Sequence, residues 1–147
     1  MINVPRHPLD NCFSIFMAAM NPAKYPWVTD LESIGLVYRQ HERLMRHWKE
    51  VLDLEFLDVS YEALVGDAET GIRRIIDFCG LPWEDACLAF HRASRDVTTL
   101  SYDQVRQPIY RTSMKKWLPY AEHLTGFLDQ LPDGALMKVI VYLSLKE

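Results

Sequence analysis

Residues 31–52 limit the fold more than any other stretch of the chain. Apolar, aromatic or histidine side chains recur at Leu31, Ile34, Tyr38, His41, Met45, Trp48 and Leu52, in steps of three and four. That spacing lines them along one face of an α-helix. Val37, Leu44 and Val51 widen the face toward a globular core rather than a narrow coiled-coil seam. Arg39, Glu42, Arg43, Arg46, Lys49 and Glu50 mostly take the other side, and Asp30 is the expected cap. On the stripe His41 reads as an interior histidine. At about 1.5 Å per residue the helix is on the order of 33 Å long, the width of a small domain, so the remaining elements must pack along it.

Those elements follow from local signals. Residues 2–6 read as a short strand closed by Pro5. His7-Pro8 opens a helix to about Met20, because proline suits a first turn whose N–H has no partner. Asp10 adds a favourable negative charge at that end. Leu9, Phe13, Phe16, Met17 and Met20 share its apolar face, and residues 21–27 form a loop. Residues 55–60 read as a second strand. Asp67 caps a helix over 68–79 that Gly80 ends, and a short helix runs over 83–92. Residues 93–112 are irregular, a helix covers 113–131, and the apolar tail after Pro132 is an edge strand or a short helix. Two strands, each followed directly by a helix, make an α/β pattern. A two-stranded parallel sheet is thin and leaves edges open, so either further strands exist or the chain is part of something larger.

Composition narrows the function classes. The length of 147 residues fits one domain, and 49% hydrophobic with 24% charged residues suits a packed core. A net charge of −4 argues against a broad nucleic-acid surface, which needs a basic face, but allows a local pocket for one phosphorylated ligand. No run reaches the roughly 18 apolar residues of a membrane span; Lys138 interrupts the most apolar stretch, 135–145. No secretory leader is seen, and a cytoplasmic location is expected. Cys12, Cys79 and Cys87 form no C-x-x-C pair, so they read as small buried residues in a reducing compartment. His47 and His91 lack metal-spaced partners, and no metal site is expected.

Four clusters carry chemistry. In Arg6-His7-Pro8-Leu9-Asp10-Asn11-Cys12-Phe13-Ser14 an arginine lies at a strand end, a helix starts beside it, and a serine follows eight positions on. Helix-start N–H groups, a guanidinium fork and a hydroxyl all suit a phosphate. A surface arginine and a serine bonded to its own helix would read the same way. Tyr61 stands just past the second strand, where ligands bind in open α/β sheets; it could contact a base or simply cover a strand edge. Residues 101–117 hold Ser101, Tyr102, Arg106, Tyr110, Arg111, Ser113, Lys115, Lys116 and Trp117. That local basic patch suits a small polyanion, or is a solvated helix start. In Leu44-Met45-Arg46-His47-Trp48, Met45 and Trp48 read as core.

Together these strings resemble the sulfotransferases that use 3′-phosphoadenosine 5′-phosphosulfate (PAPS). The nearest branches are the bacterial enzymes often fused to tetratricopeptide repeats and the protein-tyrosine sulfotransferases. The matching strings are R-H-P-L-D-N-C-F-S at 6–14, L-x-x-H-W around 44–48, V-S-Y-E-A-L-V at 59–65 and S-Y-D-Q-V-R-Q-P-I-Y…K-K-W at 101–117. The resemblance implies an α/β fold related to P-loop nucleotide-binding proteins, helix-rich and with a reduced parallel sheet. It implies that Arg6, Ser14 and Lys116 hold the cofactor 3′-phosphate and that Tyr61 contacts the adenine. It implies that the loop from Ser101 to Tyr110 wraps the 3′-phosphate end of the adenosine. The partners it implies are PAPS, its product adenosine 3′,5′-bisphosphate (PAP), and a hydroxyl acceptor: a small molecule, a carbohydrate or a protein tyrosine.

In one respect the chain departs from that family. Family members carry a glycine-rich 5′-phosphosulfate loop, which supplies a catalytic Lys or Arg, and a His or Glu base, all upstream of the Arg…Ser motif. The six glycines here, at 35, 66, 71, 80, 126 and 134, fall in other contexts. Residues 1–147 are therefore expected to be the C-terminal part of one sulfotransferase domain, without catalytic residues of its own and inactive alone. The alternatives are a non-catalytic nucleotide-binding or interaction module, an ATP-using P-loop kinase fragment, and a plain helical interaction protein.

Overall fold

The computed structural model describes residues 1–92, 107–124, 127 and 131. The chain divides into two compact units: residues 1–5 with 55–112, and residues 6–54 with 113–147.

The first unit is built on a parallel pair of strands, β1 (Ile2–Asn3) and β2 (Leu57–Asp58), in register Ile2↔Leu57 and Asn3↔Asp58. The strands are shorter than the sequence suggests, but backbone pairing runs past them. Val59 N–H donates to Asn3 at 3.0 Å and Tyr61 N–H donates to Pro5 at 2.8 Å. Asn3 also donates its side-chain amide to Asp58 at 2.7 Å. Two short helices follow, α3 (Tyr61–Gly66) and α4 (Ala68–Phe78). Ser60 Oγ caps α3 by accepting from Ala63 N–H at 3.1 Å, and Asp67 caps α4 through Thr70 N–H at 3.2 Å. Gly71 lets the two helices close: a Cβ there would stand 2.6 Å from a Leu64 methyl and 3.3 Å from its Cα. Gly80, at φ +67°, ends α4, with its N–H on Asp77 and that of Leu81 on Ile76. Arg73 lies 3.8 Å over the Trp83 ring and pairs with Glu69. The expected helix at 83–92 is a 3-10 segment, Asp85–Arg92, kinked at Ala89.

The second unit packs α1 (Pro8–Met17) against α2 (Leu31–Val51), with a 3-10 turn at Pro26–Val28 between them in sequence. Asp30 accepts from Ser33 N–H at 2.7 Å, and that bond holds its carboxyl below the usual carboxylate range. Its core joins Leu9, Cys12 and Phe13 of α1, Ile34 and Tyr38 of α2, and Trp117, Ala121, Leu124, Phe127 and Leu131. Burial pushes the Cys12 thiol up to about 12, which makes it an inert packing group.

Several expectations are corrected. α1 stops at Met17 because Ala18 N–H turns to Ile15 and Ala19 takes φ 45°. Phe16 and Met17 are exposed as a result. On α2, Ile34, Gly35, Tyr38 and Met45 are buried, whereas His41, Val37, Leu44, Val51 and Leu52 are exposed. α1 and the Pro26–Val28 turn cover one face of that helix, and the wider face stays uncovered among the described residues. Cys79 is exposed and Cys87 half-buried, so only Cys12 is the buried cysteine that was expected. Residues 113–117 form a turn, followed by a 3-10 segment at Leu118–Leu124, where an α-helix was expected from Ser113. Lys115, at φ 59°, cannot start such a helix. Small parallel sheet and helices together are compatible with an α/β fold.

Leu9 is fully buried in the second unit's core. Leu9→Ala should therefore lose about 2–5 kcal/mol of stability in urea unfolding.

Candidate phosphate site

Residues 113–117 of the third sequence cluster meet the first cluster in the second unit. Arg6 leaves the strand end and its guanidinium donates from Nη2 to the Ser113 carbonyl, 107 residues away in sequence, at 2.5 Å. His7 stacks on Trp117, with ring centroids 5.8 Å apart and planes 8° from parallel. Asp10, one turn into α1 and only 3% exposed, accepts from Lys115 N–H at 2.8 Å and from Lys116 N–H at 3.0 Å. Phe13 continues the contact against Tyr120, centroids 5.0 Å apart. Contacts from four residues at the start of α1, Arg6, His7, Asp10 and Phe13, thus hold residues 113–120 against it.

Each contact has a physical reason. A desolvated carboxylate must be hydrogen-bonded, and two backbone amides give one donor to each of its oxygens. The α1 start, with its partial positive charge, also favours an anion at Asp10. Lys115 takes the left-handed conformation so that two successive amides can face the carboxylate; that conformation costs a side-chain-bearing residue roughly 1 kcal/mol. Trp117 then turns inward, 4% exposed, and closes the turn on the core. The outcome is a corner where the Arg6 guanidinium and the backbone of Lys115 and Lys116 meet the beginning of a helix, with the Asp10 carboxylate engaged by two amides. Such a corner can attract and orient a phosphate-sized anion.

The other expected site residues are distributed as follows. Lys116 is exposed. Ser14 lies half-buried on α1, roughly 9 Å along the axis from Pro8. Tyr61 is in the first unit, half-buried as the first residue of α3. Tyr110 is in the same unit and half-buried; its neighbour Arg111 donates to the Gly66 carbonyl at 2.8 Å, which ties that segment to the end of α3. The two tyrosines are therefore attached to opposite ends of one helix about 8 Å long. Ser101 and Arg106 lie outside the described residues. Met45 is buried, whereas Trp48, expected in the core, is only half-buried, and His47 is exposed beside Gln40, Arg43 and Leu44. Among the described residues no three His, Cys, Asp or Glu side chains gather as a metal site.

Sequence reasoning assigned Asp10 only a helix-end charge. Its pairing with the turn at 115–116 was missed, although an acid one position from the buried Leu9 already implied a need for donors.

Comparison with known proteins agrees with the motif evidence. Residues 1–85 match the sulfotransferase family. An uncharacterized protein of Aquifex aeolicus (strain VF5) is 33% identical over 136 residues, covering 91% of this chain. The chain spans 18% of that relative's length.

Lys115→Gly should remove the left-handed cost while leaving Lys116 in place, and should raise stability by roughly 1 kcal/mol in urea unfolding. Equal or lower stability would contradict the account of this turn.

Proposed function

The chain belongs to the sulfotransferase family, and on that premise we propose that it holds the 3′-phosphate end of PAPS in a larger sulfotransferase. The observation that carries this reading is the convergence of Arg6, Lys115 and Lys116 at the start of α1, enforced by bonds from Arg6 to Ser113 and from the Lys115 and Lys116 amides to Asp10. Arg6 and Lys116 neutralise the phosphate dianion, and Ser14 adds a hydroxyl donor farther along α1. A guanidinium whose plane is already set by a carbonyl loses less freedom when an anion arrives. Tyr61 and Tyr110, tied to the two ends of α3, serve the adenosine portion together with Ser101.

In the parent reaction the sulfuryl group passes from PAPS to an acceptor hydroxyl, which loses its proton, and PAP leaves. Transfer of this kind depends on neutralising charge on the leaving group and on deprotonating the acceptor. Within residues 1–147 neither a glycine-rich phosphosulfate turn nor an assigned base occurs, so these residues bind one end of the nucleotide and the remaining chemistry belongs to further sequence. The fold is the P-loop-related one of the tetratricopeptide-associated and tyrosine-directed branches, and the setting is cytoplasmic. The acceptor is a small molecule, a carbohydrate or a protein tyrosine. The same lack of a glycine turn favours a second reading, a nucleotide-binding module without turnover.

Isothermal calorimetry tests the binding claim. The chain should bind PAP, and Arg6→Ala should bind it about 10- to 100-fold more weakly, the worth of charge-assisted hydrogen bonds. Equal binding by both proteins would show that Arg6 is not the phosphate ligand. Incubated with PAPS and a panel of hydroxyl acceptors, the isolated chain should show no sulfation above background; turnover would overturn the division of labour described here.

A further inference from the structure

We propose that Asp10 is a positioning residue for the nucleotide phosphate: it acts through the turn at 115–116 and never touches the ligand. The proposal rests on the assignment of Arg6 and Lys116 to the 3′-phosphate. Its own basis is separate. Among the described residues the side-chain caps Asp30, Ser60 and Asp67 each accept from an amide three residues ahead. Asp10 instead leaves the amides of its own helix and accepts from two amides 105 and 106 residues ahead. It is also the buried charged residue of the described core.

Electrostatics alone makes this an odd place for a carboxylate. A negative charge beside a phosphate site weakens anion binding unless it contributes something that outweighs the repulsion. What Asp10 contributes is geometry. One oxygen takes the Lys115 amide and the other takes the Lys116 amide, so the backbone from which the Lys116 side chain departs has one orientation. Arg6 grips the preceding carbonyl, Ser113, and His7 stacks on the following ring, Trp117. The lysine is thereby carried by a turn pinned on both sides to the same helix start that presents Arg6.

The two effects have opposite signs, and Asp10→Asn separates them. The amide is nearly isosteric, removes the charge, keeps one acceptor and sets an NH2 group against a backbone N–H. If charge dominated, PAP would bind more tightly. Positioning predicts about 10-fold weaker PAP binding, the cost of one charge-assisted hydrogen bond lost at the turn. Adenosine 5′-monophosphate, which has no 3′-phosphate, should bind the variant and the wild type alike. A merely structural role would weaken both nucleotides equally. Asp10→Asn added to Lys116→Ala should cause no further loss, because the carboxylate works through that lysine.

The full 147-residue chain is titrated calorimetrically with PAP and with adenosine 5′-monophosphate, and amide hydrogen exchange is read at Lys115 and Lys116. Slow exchange of both amides in the wild type and fast exchange in Asp10→Asn supports the geometry. Should Asp10→Asn unfold, Asp10→Glu carries the test: it keeps both acceptors, shifts them by one methylene, and should lower PAP affinity with a smaller effect on adenosine 5′-monophosphate. Unchanged or tighter PAP binding by the folded Asp10 variant, with Arg6→Ala and Lys116→Ala both weakened, overturns the role of Asp10 and leaves the phosphate assignment standing. Indifference of PAP binding to Arg6→Ala and Lys116→Ala overturns that assignment itself.

Discussion

A carboxylate with 3% of its surface in contact with solvent has to be met by donors, and the way Asp10 meets this demand organises half of the second unit. Its oxygens recruit two successive amides, and a chain that offers two successive amides to one carboxylate must turn sharply. The turn places Lys115 at φ 59° and swings Trp117 inward against His7. From there Ala121, Leu124, Phe127 and Leu131 reach the core shared with Leu9, Cys12 and Phe13. Arg6 completes the arrangement by holding Ser113 from the other side. The apolar contacts supply most of the stabilisation, at roughly 25 cal/mol per Å² buried. The polar ones decide which residues of the returning segment face the start of α1. Burial alone would accept several registers of 113–131 on α1; two amides on one carboxylate accept one.

Elements whose cause is local were legible before the structure. α2 has a long regular stripe and a capping aspartate, and its observed span of Leu31–Val51 differs from expectation by one residue. α4 has Asp67 before it and Gly80 after it, and both act as their chemistry requires. α3 was not legible, because six residues are too few to show a period. Ser60, its capping residue, was instead absorbed into the end of the strand. The wide face of α2 misled for a different reason. Val37, Leu44 and Val51 do repeat at helical spacing, but periodicity reports which residues share a face, not whether a neighbour covers it. His41 is exposed through the same gap between pattern and packing.

The candidate site divides in the same manner. That residues 6–14 and 101–117 suit a phosphate was a reading of residue types: an arginine and a helix start in one stretch, several cations in the other. That residues 6–10 and 113–117 share a corner was not readable, since their contacts join residues more than a hundred positions apart. The expected helix from Ser113 failed at the point where the site is built. Pro119 offers no N–H, and Lys115 is held in a conformation that helices exclude, so local preference yielded to the demand of a distant carboxylate.

A net charge of −4 and an anionic ligand are not in conflict. At physiological ionic strength, charges separated by more than about 8 Å are largely screened, so the acidic surface as a whole has little influence on a phosphate already at its site. What counts is the set of groups within that radius. At the start of α1 the Arg6 guanidinium, the turn that carries Lys115 and Lys116, the partial positive charge of the helix end, and the Asp10 carboxylate bonded by two amides come together. Global acidity then has its own effect: it gives polyanions such as nucleic acids no extended surface to follow, while a single compact dianion needs only the corner. On the proposed reading, discrimination against long polyanions and retention of a small nucleotide follow from one charge distribution, provided the cations are concentrated in one place. The bonds from Asp10 and Arg6 to the 113–116 turn fix the backbone from which Lys115 and Lys116 depart.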